Sequence, residues 1–434
     1  MDKSLIKGRK LGTWSVVAIG IGGMVGGGIF AVLGLAVELA HGGTPVAFAL
    51  AGIVALLTAY SYSRLSVTYP SQGGTVEYLN VAFGPGLFTG GLNVLLLLSY
   101  VIMLSLYSYA FGSYGASFFP LALQPFWKHI LISAIVLLLT LLNVMGASIV
   151  GEAEEWIVGL KITILLFFIA AGIWTVSPES IAPTSWSAPL PLFAGGMIIF
   201  LAYEGFELIA NTAGDVREPI RTLPRAYAIA VLFVIALYIL VSIVTVGNLP
   251  VSDIVAAKDY ALAEAAKPFL GKAGFTLIAI AALLSTASAI NATLYGASRI
   301  SYIIAKEGEL PASLEKKIWN NPVEGLLITA ALTLVVANLF DLSSISMMGS
   351  AGFLIIFAAV NIANARLHSK TASRAWISIL GAIVCFVALA ALVWQTGQTH
   401  PQRLWVLVVL AGIAFLFEAV YRKASGRTLT SHHW

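Results

Sequence analysis

Three ionisable side chains stand inside apolar stretches where a charge is least welcome. Glu204 and Glu207 interrupt Phe200-Leu201-Ala202-Tyr203-Glu204-Gly205-Phe206-Glu207, and Lys161 interrupts the run from Ile157 to Leu166. Carboxyl groups three residues apart share a face if the helix continues. Each costs at least a few kcal/mol in hydrocarbon, so both are expected to face a cavity or a partner. Lys161 lies about seven residues beyond the acidic cluster Glu152, Glu154 and Glu155. At 1.5 Å of rise per residue that is about 10 Å, too deep for its ammonium to reach the interface. Burial disfavours the charged form of a lysine, so a group placed here can take up and release a proton. The other reading is a fixed structural pair with a carboxylate. Glu204 could favour a cationic side chain or a polyamine, carry a proton, or titrate together with Lys161 so that neither alone owns the proton.

The elements that must hold these groups are membrane helices. The 434 residues are 59% hydrophobic and only 10% charged, and the mean hydropathy is +0.93. Apolar runs of about twenty residues recur from end to end, a composition that excludes a soluble globular domain. The fold class is therefore all-α, a polytopic membrane protein of about 12 transmembrane helices. They are expected at 13–39, 44–66, 87–112, 129–149, 154–176, 190–213, 224–247, 273–304, 323–341, 345–366, 375–395 and 403–421. With these boundaries, 18 Lys and Arg fall on the side of the termini and 5 on the other, so both termini are expected in the cytoplasm. The expected location is a plasma or inner membrane, with no cleavable signal peptide. The net charge of +4 is explained by this inner-side bias and gives no reason to expect nucleic acid as a partner.

The first span holds Ile19-Gly20-Ile21-Gly22-Gly23-Met24-Val25-Gly26-Gly27-Gly28-Ile29-Phe30, in which six of twelve residues are glycine. Glycine costs a helix roughly 1 kcal/mol relative to alanine, so three in a row invite unwinding. Unwound backbone in hydrocarbon is tolerated only where it lines a polar cavity, and the alternative is close helix–helix contact. The second interruption decides between them. Gly205 sits between the two sixth-span carboxyl groups and is the expected break point there, five spans after the first. Interrupted helices at matching places in two halves point to a secondary transporter with inverted repeats. The expected organisation is a cytoplasmic N-terminus over 1–12, five-helix repeats over 13–176 and 190–366, two additional helices over 375–421, and a cytoplasmic C-terminus over 422–434.

Further motifs carry a resemblance. They are Gly26-Gly27-Gly28-Ile29-Phe30, Tyr60 through Leu65 with Tyr69-Pro70 and Gly73-Gly74, Tyr203 through Glu207, Glu218-Pro219, Leu223-Pro224-Arg225-Ala226, Ser288 through Thr293, and Ala305 through Pro311. Together and in order, they make the chain resemble the amino acid–polyamine–organocation permeases, closest to the ApcT-type proton-coupled amino-acid permeases. The resemblance implies a LeuT-like 5+5 inverted repeat with broken first and sixth helices plus two extra helices. It implies an amino-acid substrate whose carboxylate is held at Gly26, Gly27 and Gly28, chiefly by the amides of Gly27 and Gly28. The α-amine would face the carbonyls of Met24, Leu201, Ala202 and Glu204. Phe206 matches an aromatic that caps the pocket in relatives, with ordinary packing as the other reading. Glu207 matches a common acidic position, whereas Glu204 stands where relatives carry an apolar residue. Lys161 would occupy the place of sodium in sodium-coupled relatives, between the Gly22 carbonyl and Ser285, with Thr286 and Ser288 as near alternatives. A tethered cation excludes sodium from that place, so the coupling ion is expected to be H⁺, with no other cofactor.

These readings give a proton-coupled amino-acid symporter working by alternating access. The alternative is a sodium-independent exchanger or uniporter of cationic amino acids or polyamines. A channel would present a lining ring of charges rather than interrupted helices around a site. An enzyme would need a nucleophile with a base or clustered histidines. The six histidines fall at span ends or in loops, and Cys385 is the single cysteine, so neither a metal site nor a catalytic centre is expected.

Overall fold

The computed structural model describes residues 11–71, 73–145, 150–306, 310 and 323–425. The polar loop between Lys306 and Asn321, whose sequence suggests another short helix, lies outside the described residues but for Leu310, as do the terminal segments 1–10 and 426–434. Helices follow one another in the order α1 (Thr13–Met24), α2 (Gly28–Ala40), α3 (Thr44–Thr68), α4 (Thr75–Phe83), α5 (Leu87–Ala116), α6 (Gln124–Val144) and α7 (Val150–Gly172). The chain continues through α8 (Pro189–Ile198) and a tighter 3₁₀ course over Phe200–Asp215. It then forms α9 (Pro219–Asn248), α10 (Val251–Ala256), α11 (Ala261–Ala265), α12 (Lys267–Lys306), α13 (Val323–Leu339), α14 (Leu342–Arg366), α15 (Ala375–Thr399) and α16 (Leu404–Ser425). Among the described residues there is no strand beyond two isolated bridges.

Ten of these helical segments are long and apolar enough to span a bilayer, and α1 with α2, bent by 46°, makes an eleventh. The shorter apolar helix Val323–Leu339 stands where the ninth span is expected. Apolar side chains such as Leu137, Leu141, Ile383 and Phe386 point outward, as a lipid-facing surface requires. Trp14, Trp174, Trp376, Trp394 and Trp405 are exposed near span ends.

Packing follows an offset of five spans. The first span (α1–α2) lies on the sixth (α8 and its 3₁₀ continuation), α3 on α9, α5 on α12, and α6 on α13. Backbone bridges tie the first and sixth spans at both ends. On the basic side, the Leu11 amide donates to Asp215 and the Arg217 amide to Leu11, both at 2.9 Å. On the other side, His41 bridges to Trp186.

On that other side, the segment between α9 and α12 packs over α2 and the start of α12. Tyr260–Phe269 is expected to be a surface helix ended by Pro268, yet Ala261, Leu262, Ala263 and Ala265 are fully buried. The helix ends at Ala265, and Pro268 lies in the first turn of α12, where a missing amide costs nothing. Lys258 and Asp259 fasten the segment, Lys258 to Glu38 at 3.4 Å and Asp259 to Lys128 at 3.6 Å.

Candidate functional site

The site is built where the first and sixth spans cross. The α-helix stops at Met24 and restarts at Gly28, with Val25, Gly26 and Gly27 between. As N-cap and first residue of α2, Gly27 and Gly28 have amides with no carbonyl of their own helix to meet. Side chains are excluded here. A Cβ on Gly27 would run into the Tyr107 ring, and one on Gly28 would stand 2.7 Å from Ala202 Cα. Gly26 is similarly close to Ala289, at 3.0 Å.

The sixth span changes course earlier than expected. The α-helix ends at Ile198 and the 3₁₀ course begins at Phe200, so Ile199, not Gly205, is the transition. Two serines on α14 supply the hydrogen bonds that this transition displaces. Ser346 and Ser350 both donate to the Ile198 carbonyl, at 2.6 and 2.9 Å, and Ser350 accepts from the Leu201 amide at 3.1 Å. Gly205 has a different task, close approach. Its Cβ would strike Gly23 C and Met24 N, and a Cβ on Gly23 would lie 2.7 Å from the Gly205 carbonyl oxygen. The Tyr238 hydroxyl on α9 then links the spans, donating to the Met24 carbonyl at 2.7 Å and lying 3.3 Å from that of Ala202.

Both glutamates are buried, Glu204 3% and Glu207 1% exposed. Three residues apart on a 3₁₀ course, they stand one above the other on a single face. Glu207 Oε1 accepts from the Tyr100 hydroxyl. Its Oε2 lies 3.3 Å from the Tyr62 hydroxyl and 3.4 Å from Thr75 Oγ1. Glu204 Oε1 is buried with no hydrogen-bond partner among the described residues.

Lys161, on α7, is 2% exposed and donates to the Gly22 carbonyl at 3.0 Å. The other groups expected around its ammonium divide. Ser285 gives its hydroxyl to the carbonyls of Val25, at 2.9 Å, and Gly26. Thr286 donates to Ala282 at 2.7 Å, within α12 itself. Ser288 is half-buried on the same helix. The serine thus holds the break in the first span, and the lysine holds the end of α1 that precedes it. The acidic cluster Glu152, Glu154 and Glu155 lies outside the described side chains.

A cavity of about 400 Å³ opens toward the basic side and ends at this crossing. Leu11, Asn211, Thr212 and Arg299 line its outer part, and Gly22, Gly23, Tyr107 and Glu204 its depth. Of the expected site residues, Gly22 and Glu204 face it. Phe206 does not. Its ring packs against Tyr62 and Phe357, with centroids 5.5 and 5.2 Å away, so it belongs to an aromatic core rather than to a lid over this cavity. Glu207 sits behind Glu204 in the same way. Met24, Gly26, Gly27, Gly28, Leu201 and Ala202 gather around the crossing without lining the cavity, because Tyr107 covers Gly27 and Tyr238 covers the carbonyls.

The residues that sequence reading passes over are three tyrosines of α5. Tyr100 meets Glu207, Tyr107 meets Gly27, and Tyr114 donates to the Phe30 carbonyl at 3.0 Å. Their spacing of seven residues was the available signal, since it puts all three on one helix face.

A polytopic helical bundle with a side-chain-lined cavity ending between two interrupted spans is a membrane transporter. The chain belongs to the amino acid permease family, which matches residues 11–415. It is 36% identical over 428 residues to an uncharacterized protein of Methanocaldococcus jannaschii, covering 98% of each chain. It is 35% identical over 403 residues to the inner membrane transport protein YbaT of Escherichia coli, covering 92% of this chain and 93% of that one. The branched-chain amino acid permease BcaP of Lactococcus lactis is 28% identical over 378 residues, with 81% and 80% covered.

Proposed function

We propose that this permease is a proton-coupled amino-acid symporter of the cell membrane, working by alternating access with both termini in the cytoplasm. The observation that carries the reading is the Lys161 ammonium, buried and bonded to the Gly22 carbonyl at the wall of the cavity. A lysine cation in that place pins the end of α1 to α7. Loss of its proton removes the charge and weakens the hydrogen bond to Gly22 to a neutral one, which frees the break in the first span to rearrange. Protonation thereby biases one of two arrangements, as a coupling ion must.

The substrate carboxylate would meet the amides at the start of α2, where unpaired N–H groups and the helix dipole favour an anion. For that, the Tyr107 ring has to leave Gly27, and the Tyr238 hydroxyl has to yield the Met24 and Ala202 carbonyls to the α-amine. Two five-helix inverted repeats account for the packing offset of five. With the basic side cytoplasmic, the cavity opens inward and the α10–α11 segment closes the outside. The names of relatives support amino acids as the substrate class, branched-chain ones for BcaP.

The test is uptake of labelled L-alanine and L-arginine into proteoliposomes in sodium-free buffer, with and without an inward proton gradient. Accumulation of alanine driven by the gradient is the expected result. Counterflow indifferent to the gradient would overturn the symport reading in favour of sodium-independent exchange.

A further inference from the structure

Glu204 has chemistry that proton coupling through Lys161 does not use. It lines the depth of the cavity, and its Oε1 is buried there without a partner among the described residues. On the same face of the 3₁₀ course stands Glu207, which already receives the Tyr100 hydroxyl on one oxygen and has Tyr62 and Thr75 close to the second. An ionised carboxylate can only accept, so these hydroxyl donors suit an ionised Glu207. Two carboxyl groups stacked on one face hold a shared proton more readily than two charges, and the hydroxyl donors around Glu207 leave that proton to Glu204.

Among the described residues, no lysine or arginine forms an ion pair with Glu204 or Glu207. α1, which crosses this segment, carries no charged residue. The titratable groups facing the pair are Tyr62 on α3, Tyr100 and Tyr107 on α5, Tyr227 on α9, and, further out along the cavity, Arg299 on α12. Lys161 is directed to Gly22.

We propose that Glu204 is the cation-recognition residue of this transporter: an ammonium or guanidinium on the substrate's side chain displaces the proton shared with Glu207 and pairs with the Glu204 carboxylate. The released proton passes to water in the cavity. The inference rests on the symport reading for its consequence, which is that a cationic amino acid crosses with one proton fewer than a neutral one. Neutral amino acids leave the acid protonated and meet a hydrogen-bonding, uncharged wall.

The experiment uses the purified full chain in detergent and reads binding of arginine and alanine across a range of pH. In the wild type, the arginine-to-alanine affinity ratio should rise with pH, by up to about tenfold per pH unit while the pair still holds its proton. In weakly buffered solution, arginine binding should release a proton and alanine binding should not. Glu204→Gln should flatten the ratio against pH, and Glu204→Asp should restore part of the slope. A wild-type ratio independent of pH, arginine binding without proton release, or no arginine binding at any pH would each overturn the proposal without reference to a variant. Gradient-driven alanine accumulation is read separately, so failure of symport and failure of this site are told apart.

Discussion

Gly23 and Gly205 meet backbone to backbone where the first and sixth spans cross. Neither position has room for a methyl group: main-chain atoms that cannot swing aside stand in the way at both, joined at Gly23 by the Leu208 side chain. With the two spans also tied at Leu11 to Asp215 and at His41 to Trp186, they form one paired unit. Movements that open either side of the cavity must carry both spans together or break this contact.

Gly205→Ala should therefore damage the protein far more than an alanine at an open glycine. Overpacking of a rigid contact costs typically 1–3 kcal/mol. Gly159 and Gly412 have nothing within 4 Å of an added Cβ and serve as controls. Thermal unfolding in detergent should show a clear drop in Tm for Gly205→Ala and little change for the controls. Equal Tm values would remove the close approach as the reason for glycine at this place.

Ser346 and Ser350 make a second prediction, because both donate to the single carbonyl freed at Ile198. Replacing Ser346 alone leaves that carbonyl one donor. Replacing Ser350 also strips the Leu201 amide of its acceptor. An unsatisfied buried group costs about 1–3 kcal/mol. The expected order of destabilisation is Ser346→Ala, then Ser350→Ala, then the double variant, with the double loss exceeding the sum of the singles. Strict additivity in a double-mutant cycle would show that the two serines do not share the carbonyl.

Much of this architecture is legible in the sequence because hydrocarbon imposes simple rules. Span positions follow from apolar length, and Lys161 reaches the Gly22 carbonyl, whereas Ser285, expected beside it, is taken up by the carbonyls of Val25 and Gly26. The sixth-span transition is misplaced for a physical reason. Glycine marks both flexible and closely packed backbone, and at Gly205 the second use governs, while the α-to-3₁₀ change at Ile199 depends on serines some 150 positions away. Phe206 is ambiguous for a similar reason, since a ring suits a lid and a core equally. The tyrosines at 100, 107 and 114 were readable by spacing alone, but their partners come from other spans and no local pattern names them.

The closed side of the transporter depends on Gly34, where a Cβ would press on Lys258 Cα at 2.6 Å. Gly34→Ala should lift the segment carrying Lys258 and Asp259 and weaken its ion pairs with Glu38 and Lys128. Cleavage by trypsin after Lys258 should then be faster than in the wild type, with Gly412→Ala unchanged. An unaltered cleavage rate would mean that the segment seats without the close contact at Gly34.

Lys161 offers the most direct prediction. One proton moving down a gradient of one pH unit can drive accumulation of a neutral solute to about tenfold. Lys161→Ala should lose that accumulation entirely, leaving uptake that stops at equilibrium. Lys161→Arg should fail as well, because a guanidinium keeps its proton throughout the usable pH range and cannot release the first span. Uptake of labelled alanine into proteoliposomes, acidic outside and sodium-free, reads both variants. The wild-type signal should grow with the gradient and collapse when a protonophore dissipates it. An alanine variant that still concentrates substrate in step with the gradient would assign coupling to another group, and the buried pair of Glu204, at the same cavity, and Glu207 behind it would be the place to look for it.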